Sequence, residues 1–221
     1  MDTAVPVGRT GGAARWAPLG GILYVILFVV GTIVLFSGSP GGDASPAKVI
    51  QWYSDSGHRD RVNIGWILIG LGVFFLLWFI AALRRAVHRI DREGILTTVV
   101  TIGGTIYAAL AFGAAALNAG IRTMSDDTFQ HRVFPELIHA ADDAGYVMHA
   151  TGGAALGAMI IAASLALMGA AVWPKWAGWV GVAVGILAIG SIFFFTQFVF
   201  LLWILIVSLV MFMRPGSTTG G

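Results

Sequence analysis

The sequence predicts an all-α fold, a polytopic bundle of membrane-spanning helices, and three observations support this. Of the 221 residues, 57% are hydrophobic and only 11% are charged, against about 25% charged in soluble domains. The mean hydropathy is +0.85. The charged residues are clustered, and they leave five long uncharged intervals: 16–42, 62–83, 94–121, 144–174 and 176–213. Together these features disfavour a water-soluble enzyme, a secreted binding module and a disordered regulator.

The first interval predicts a spanning helix over about residues 16–36. A helix needs about 20 apolar residues to cross a hydrocarbon core roughly 30 Å thick. A secretory signal is the alternative, because Arg9 and Arg15 precede the segment. However, the apolar run from Leu19 to Phe36 is longer than the roughly 7–15 residues typical of a signal, and no A-x-A-like cleavage site follows it. We therefore expect a helix of the mature protein.

The next two intervals predict spanning helices over about 63–83 and 95–117. Before them, Ser45-Pro46 is a helix start and Gly57 a plausible stop. Several apolar residues between those signals share one helix face, so a short helix over about 46–56 is expected to lie flat on the outer membrane surface.

The last two intervals predict a fourth span over about 149–172 and a choice between one helix and two. Pro135-Glu136 is a second start signal, from which a helix could run into the fourth span. The fifth interval has 38 residues, about 57 Å as one helix, nearly twice the core thickness. Two helices, about 177–193 and 198–213, fit better, so six spans are favoured and five are the alternative.

The distribution of charge predicts the orientation. Short loops rich in Lys and Arg remain cytoplasmic. With the amino terminus inside, eight of the thirteen cations lie inside against three carboxylates, and eight carboxylates lie outside. The strongest contribution is one short loop between the second and third spans, which carries Arg84, Arg85, Arg89 and Arg92. Both termini are then cytoplasmic.

Small residues predict which helices pack at the centre, since helices in lipid associate where Gly, Ala and Ser allow close approach. The fourth span has alanines at every fourth position from Ala154 to Ala170. The third and fifth spans are also rich in Ala and Gly, so these three are expected to form the centre. Two sets of bulky residues are expected to face lipid or a partner: Phe74, Phe75, Trp78 and Phe79 of the second span, and Phe198, Phe200 and Trp203 of the sixth. No domain boundary is visible, and residues 1–221 are treated as a single integral membrane domain.

The spans contain no Asp, Glu, Lys or Arg, which disfavours proton-coupled transporters, pumps and voltage sensors. The polar residues that remain are predicted at the outer ends of the helices, where they could line a shallow cavity open to the exterior. The alternative is that polar side chains simply belong in the headgroup zone. This outer polar cluster comprises Asn63, Asn118, Asp142, Asp143, His149 and Gln197.

A more specific hypothesis is that residues at the outer ends of the helices bind a metal ion. His139 and Asp143 are four residues apart and share a helix face, and His149 lies near that face three turns on. Imidazole and carboxylate are suitable ligands for zinc or another transition metal, and His58, Asp60 or His131 could join them. The spacing matches no diagnostic motif. We therefore assign no metal ligand, no cofactor and no catalytic residue from the sequence.

Four short segments resemble small actinobacterial multi-pass membrane proteins of unknown function: Gly21–Tyr24, Leu83–Arg85, Pro174–Trp179 and Leu202–Leu205. The resemblance is one of layout over most of the chain. It implies six helices and a bacterial inner membrane, and it supplies no catalytic residues.

Three classes of function remain. A non-enzymatic packing, scaffold or regulatory membrane protein is favoured. A facilitator or channel for a small or lipidic solute is the alternative, and a membrane enzyme using the outer His and Asp residues is the second alternative. The expected partners are the lipid bilayer and either another membrane protein or a second copy of the chain. Nucleic acid is not expected.

Overall fold

Every regular element in the described part of the chain is a helix. The computed structural model describes residues 13–124, 132–170, 172–191 and 196–213. In chain order the helices are α1 (Ala13–Trp16), α2 (Leu19–Phe36), α3 (Pro46–Tyr53), α4 (Ser56–His88), α5 (Ile95–Met124), α6 (Pro135–Gly169), α7 (Lys175–Ile189) and α8 (Thr196–Met213).

Four of these helices, α2, α4, α5 and α6, are long and apolar enough to cross a membrane by length and composition. The shorter helices α7 and α8 are also apolar and together occupy the fifth uncharged interval. The predicted all-helical membrane fold is therefore confirmed at this level. Helix α7 ends at Ile189 and α8 begins at Thr196, so Thr196 and Gln197, which fall between the two predicted helices, belong to α8. Residues 192–195 lie outside the described residues.

The boundaries of α3 and α4 differ from the prediction. We expected the surface helix to stop at Gly57, but α3 ends at Tyr53 and Gly57 lies in the first turn of α4. The reason is Asp55, whose carboxylate accepts hydrogen bonds from the backbone N–H of Gly57 (2.7 Å) and of His58 (3.2 Å). A side chain that satisfies these first N–H groups starts a helix, so α4 begins well before residue 63.

Two other helices are also longer than predicted. The Pro135 start signal is used, and α6 continues without a break to Gly169. At the start of α5, Asp91 accepts hydrogen bonds from the backbone N–H and the hydroxyl of Thr97, at 2.7 and 2.9 Å. The bond from the Thr97 backbone lowers the pKa of the Asp91 carboxyl. Helix α5 then runs on to Met124.

The six apolar helices pack as a closed ring. Going round it, α2 packs on α4, α4 on α5, α5 on α6, α6 on α7, α7 on α8, and α8 returns to α2. One end of the bundle carries α3 and the amino ends of α4 and α6, and we call it the α3 end. The other end carries the exposed Arg84, Arg85, Arg89 and Arg92, and we call it the arginine end.

Glycines bring two pairs of helices into backbone contact. A Cβ atom on Gly157 of α6 would lie 2.5 Å from the carbonyl oxygen of Gly185 on α7, closer than side-chain atoms normally approach. The same relation holds between α2 and α4, where a Cβ on Gly31 would lie 2.8 Å from the carbonyl oxygen of Gly65. Close backbone approach at small residues is the usual basis of helix association in lipid.

Burial agrees with the packing predictions in part. Helix α6 is the most enclosed of the four long helices, with 61% of its most apolar window buried. In the predicted alanine row Ala162 and Ala166 are buried, whereas Ala154 and Ala170, at its two ends, are exposed. The prediction that bulky residues face outward is wrong at Phe79, which is buried, although Phe74 and Trp78 are exposed. In the last helix it is wrong at two of the three positions. Phe200 and Trp203 are buried, and only Phe198 is exposed. Because α8 closes the ring between α7 and α2, one of its faces fills the centre of the bundle.

Candidate functional site

A cavity of about 420 Å³ opens into the bundle at the α3 end. Helices α2, α4, α5 and α6 form its walls, and Val49 and Tyr53 of α3, with residues 39–42, cover it. Cavities that hold small molecules in proteins measure about 300–1,000 Å³. The volume is therefore large enough for a small ligand.

The middle of the cavity is apolar. Its walls there are formed by side chains from three helices, α2, α4 and α5: Phe28, Leu35, Val62, Ile69, Ala111 and Ala114. All six are buried. An apolar wall with a few polar groups at defined places is the usual composition of a small-molecule site.

Four residues of the predicted outer polar cluster line this cavity. They are Asn118, Asp142, Asp143 and His149, and His139 lines it as well. Asn63 is not among the lining residues. The side chain of Gln197 lies outside the described part of the structure.

Asn118 ties two of the cavity walls together. Its side-chain amide donates to the carbonyl oxygen of Ala114 on its own helix at 3.0 Å and to that of Ala141 on α6 at 3.1 Å. The residue is 1% exposed, so these bonds fix α5 against α6 without help from water.

The entrance of the cavity carries negative charge. Asp142 and Asp143 both line it, and both residues are exposed. No Lys or Arg is among the described lining residues.

The inner end of the cavity rests on a chain of three hydrogen-bonded side chains. The hydroxyl oxygens of Tyr24 on α2 and Tyr107 on α5 lie 2.6 Å apart, and the Tyr107 hydroxyl lies 3.2 Å from Nε2 of His149. Both tyrosines are fully buried. The His149 ring is also stacked on Phe28, with ring centres 5.5 Å apart.

The donor and the acceptor of each of these two hydrogen bonds follow from the number of acceptors available. Within the described residues the Tyr24 hydroxyl has no hydrogen-bond neighbour except the Tyr107 oxygen. All hydroxyl protons are used only if Tyr24 donates to Tyr107 and Tyr107 donates to Nε2 of His149. The neutral His149 ring then carries its proton on Nδ1. That N–H makes no hydrogen bond to any described residue.

Sequence reasoning missed the two tyrosines. The charge and hydropathy patterns do not single out Tyr107, and Tyr24 enters only as part of a resemblance. A signal was present, because a tyrosine hydroxyl inside an apolar span requires a partner when it is buried. The sequence does not show that the two tyrosines contact each other, since Tyr24 and Tyr107 lie 83 residues apart.

The helix that covers the cavity is held by two contacts with α4. Arg59, which is 6% exposed, donates to the carbonyl oxygen of Tyr53 at 2.7 Å. The His58 ring is stacked on Trp52 with centres 4.4 Å apart, and its Nδ1 lies 3.0 Å from the Trp52 carbonyl oxygen. The position of α3 above the cavity is thus fixed by backbone carbonyls.

The metal hypothesis finds no support in the geometry. Among the described residues, no group of three or more His, Asp and Glu side chains is placed to hold a metal ion. His139, Asp143 and His149 line one cavity but do not form such a group. His131 lies outside the described residues.

Comparisons with protein-family models, curated proteins and solved structures found no match to this chain. The resemblance to small actinobacterial membrane proteins stays a prediction.

Proposed function

We propose that this chain is a non-enzymatic membrane protein of regulatory or scaffold type that binds a small, mostly apolar solute. The observation that carries the proposal is the cavity of about 420 Å³ at the α3 end, with its apolar walls and polar inner end. Empty apolar space between helices forgoes packing contacts. A bound solute would restore these contacts.

The packing below the cavity favours binding over passage. The hydroxyls of Tyr24 and Tyr107 meet across the bundle beneath the cavity. The Tyr107 and Phe200 rings pack edge-on, with ring centres 6.0 Å apart. All three side chains have no exposed surface. A facilitator would need this layer to open, so we favour a site that binds at one end of the bundle.

We further propose six spans with both termini cytoplasmic, in a bacterial inner membrane. The exposed arginines at one end of the bundle and the exposed carboxylates at the other support this orientation. The chain contains no cysteine, so single-cysteine variants report sidedness directly. In intact cells, a membrane-impermeant maleimide is expected to label Gly42→Cys and to spare Arg92→Cys. The reverse pattern would invert the topology.

The bilayer is the proposed surrounding of the exposed apolar side chains. A partner membrane protein or a second copy is proposed to contact bulky exposed residues of α4, such as Phe74 and Trp78. Cross-linking in native membranes at Trp78→Cys would identify either one.

The binding proposal is tested by filling the cavity. Ala111 lines it and is 3% exposed, whereas Ala109, on the same helix, faces outward. We expect organic extracts of purified wild-type protein and of Ala109→Phe to contain a small molecule in near-stoichiometric amount, identified by mass spectrometry. Extracts of Ala111→Phe should lack it. Equal amounts in both variants would contradict binding in this cavity.

A further inference from the structure

We propose that the arginine end of the bundle binds an anionic phospholipid, whose phosphate is held by the arginines that follow the apolar part of α4. The site is separate from the cavity, which opens at the α3 end. The depth of the arginines, their unpaired charge and the apolar surface next to them support this assignment.

The first two arginines lie at the edge of the apolar part of α4. Leu83 is fully buried, and Arg84 and Arg85 follow it directly within the same helix. At 1.5 Å per residue, their backbone lies within about 3 Å of Leu83 along the helix axis. The head-group region of a bilayer borders its hydrocarbon core, so a lipid phosphate is the anion nearest to these side chains.

The charge of the arginines is not neutralised by the described part of the protein. Residues 84–93 contain four arginines and two carboxylates. The Asp91 carboxylate accepts hydrogen bonds from Thr97 at the start of α5. In the described residues none of the four arginine side chains makes an ion pair or a hydrogen bond. Arg85 and Arg89 are four residues apart at the end of α4, a spacing at which like charges repel, and a bound anion would relieve this repulsion.

Two other roles of these arginines do not require a particular lipid. A cation is favourable near the last carbonyls of a helix, and Arg85 lies in the last turn of α4. Positive charge also retains a short loop on the cytoplasmic side. Both roles are fulfilled in any bilayer, whereas a binding site discriminates between anionic and zwitterionic lipids. Lipid preference therefore separates the proposal from these two roles.

An exposed apolar strip of α4 leads to the arginines. Leu77, Ala81, Arg84 and His88 follow one another at intervals of four, three and four residues, so they share one face of the helix. All four are exposed. Leu77 lies about 10 Å from Arg84 along the axis. An acyl chain packed along Leu77 and Ala81 would thus continue from a phosphate at Arg84, which fits an amphiphile better than a soluble anion.

The binding test uses the full-length protein in nanodiscs with equal amounts of phosphatidylglycerol and phosphatidylcholine that carry the same acyl chains. Native mass spectrometry counts the lipids of each kind that remain bound after release. We expect wild type to retain phosphatidylglycerol over phosphatidylcholine. Each cation near an anionic lipid contributes about fivefold in affinity, or about 1 kcal/mol. Arg84→Gln/Arg85→Gln should therefore lower phosphatidylglycerol retention by roughly tenfold or more and leave phosphatidylcholine unchanged.

Three further double variants serve as controls. Arg84→Lys/Arg85→Lys keeps both charges and should retain most of the bound lipid. Arg89→Gln/Arg92→Gln changes residues beyond the last residue of α4, so it tests the same site if the first variant does not fold. Lys48→Gln/Arg132→Gln removes two exposed cations at the α3 end and should leave phosphatidylglycerol retention at the wild-type level.

Thermal unfolding in detergent gives the second measurement. A ligand that binds the folded state raises its stability, so added phosphatidylglycerol should raise the melting temperature of wild type more than phosphatidylcholine does. High salt should reduce this difference. Inorganic phosphate, which has the anion without the acyl chains, should leave the melting temperature unchanged.

Three outcomes would overturn the proposal. One is equal retention of the two lipids by wild type. Another is a loss of phosphatidylglycerol in Lys48→Gln/Arg132→Gln as large as in the variants at the arginine end. The third is stabilisation by inorganic phosphate as large as that by phosphatidylglycerol, which would assign the arginines to a soluble anion. Ala111→Phe should not affect lipid retention, so this proposal and the cavity proposal fail independently.

Discussion

The hydroxyl groups of Tyr24 and Tyr107 meet at 2.6 Å in the middle of the bundle, although 83 residues separate them in the chain. Tyr24 belongs to α2 and Tyr107 to α5, two helices that are not neighbours in the ring. The contact therefore crosses the bundle. Through the further bond from Tyr107 to His149, the contact links α2, α5 and α6 at the inner end of the cavity.

Removing the Tyr107 hydroxyl is expected to lower the free energy of unfolding more than removing the Tyr24 hydroxyl. Tyr107→Phe leaves both the Tyr24 hydroxyl and Nε2 of His149 without their partner, at a cost of about 1–3 kcal/mol per group left unsatisfied. Tyr24→Phe leaves the Tyr107 to His149 bond intact and should cost about 1 kcal/mol. Thermal unfolding in one detergent would rank the two variants, and equal losses would contradict the bridging position of Tyr107 between Tyr24 and His149.

Adding one methyl group at the contact between α6 and α7 is expected to destabilise the protein. Gly157→Ala places a Cβ against the Gly185 backbone, which cannot move aside as a flexible side chain would. Overpacking of this kind costs about 1–3 kcal/mol. Gly120→Ala is the matched control, because a Cβ there meets nothing within 4 Å. A melting temperature equal to that of the control would show that the two helices separate easily.

The start of α5 should be sensitive to acid. The pKa of Asp91 is lowered in the folded protein, chiefly by the hydrogen bond from the Thr97 backbone. The ionised carboxylate therefore favours folding above its unfolded pKa, and this contribution is lost as pH falls through the lower, folded value. Asp91→Ala should melt a few degrees below wild type at pH 7, and the difference should shrink under acidic conditions. A pH-independent difference would contradict this role.

Releasing α3 should loosen the cover of the cavity. Arg59→Met removes the bond to the Tyr53 carbonyl, and bonds from charged groups contribute about 1.5–3 kcal/mol. Amide hydrogen exchange within 49–53 is expected to accelerate roughly tenfold or more. Arg61→Met is the control, because Arg61 donates to the Ser37 carbonyl at 2.9 Å and not to α3. Equal acceleration in both variants would mean that Arg59 does not hold this helix.

The sequence predicted the features that depend on local pattern. Charge spacing located the apolar segments, and the Ser45-Pro46 and Pro135-Glu136 signals marked the starts of α3 and α6. The start of α4 was missed because capping by Asp55 depends on side-chain geometry and not on hydropathy. Hydropathy also ignores polar residues that continue a helix beyond its apolar segment, which is why α4 and α5 are longer than predicted.

The site was less accessible to sequence reasoning. The only ground for selecting four of its residues was their predicted depth in the membrane: Asn118, Asp142, Asp143 and His149. Depth does not indicate which helices are neighbours. Phe200 and Trp203 were placed toward lipid because bulk alone does not reveal that α8 closes the ring.

The closing of the ring by α8 has a consequence for biogenesis. Synthesis proceeds from the amino end, so α2 enters the membrane long before the helix that packs on its Gly21 face and covers Tyr107 with Phe200. Until α8 inserts, the ring is open between α7 and α2, and the side of the Tyr107 ring that Phe200 covers is accessible from the membrane. Nascent chains stalled before α8 would therefore expose part of the bundle centre that the finished protein encloses.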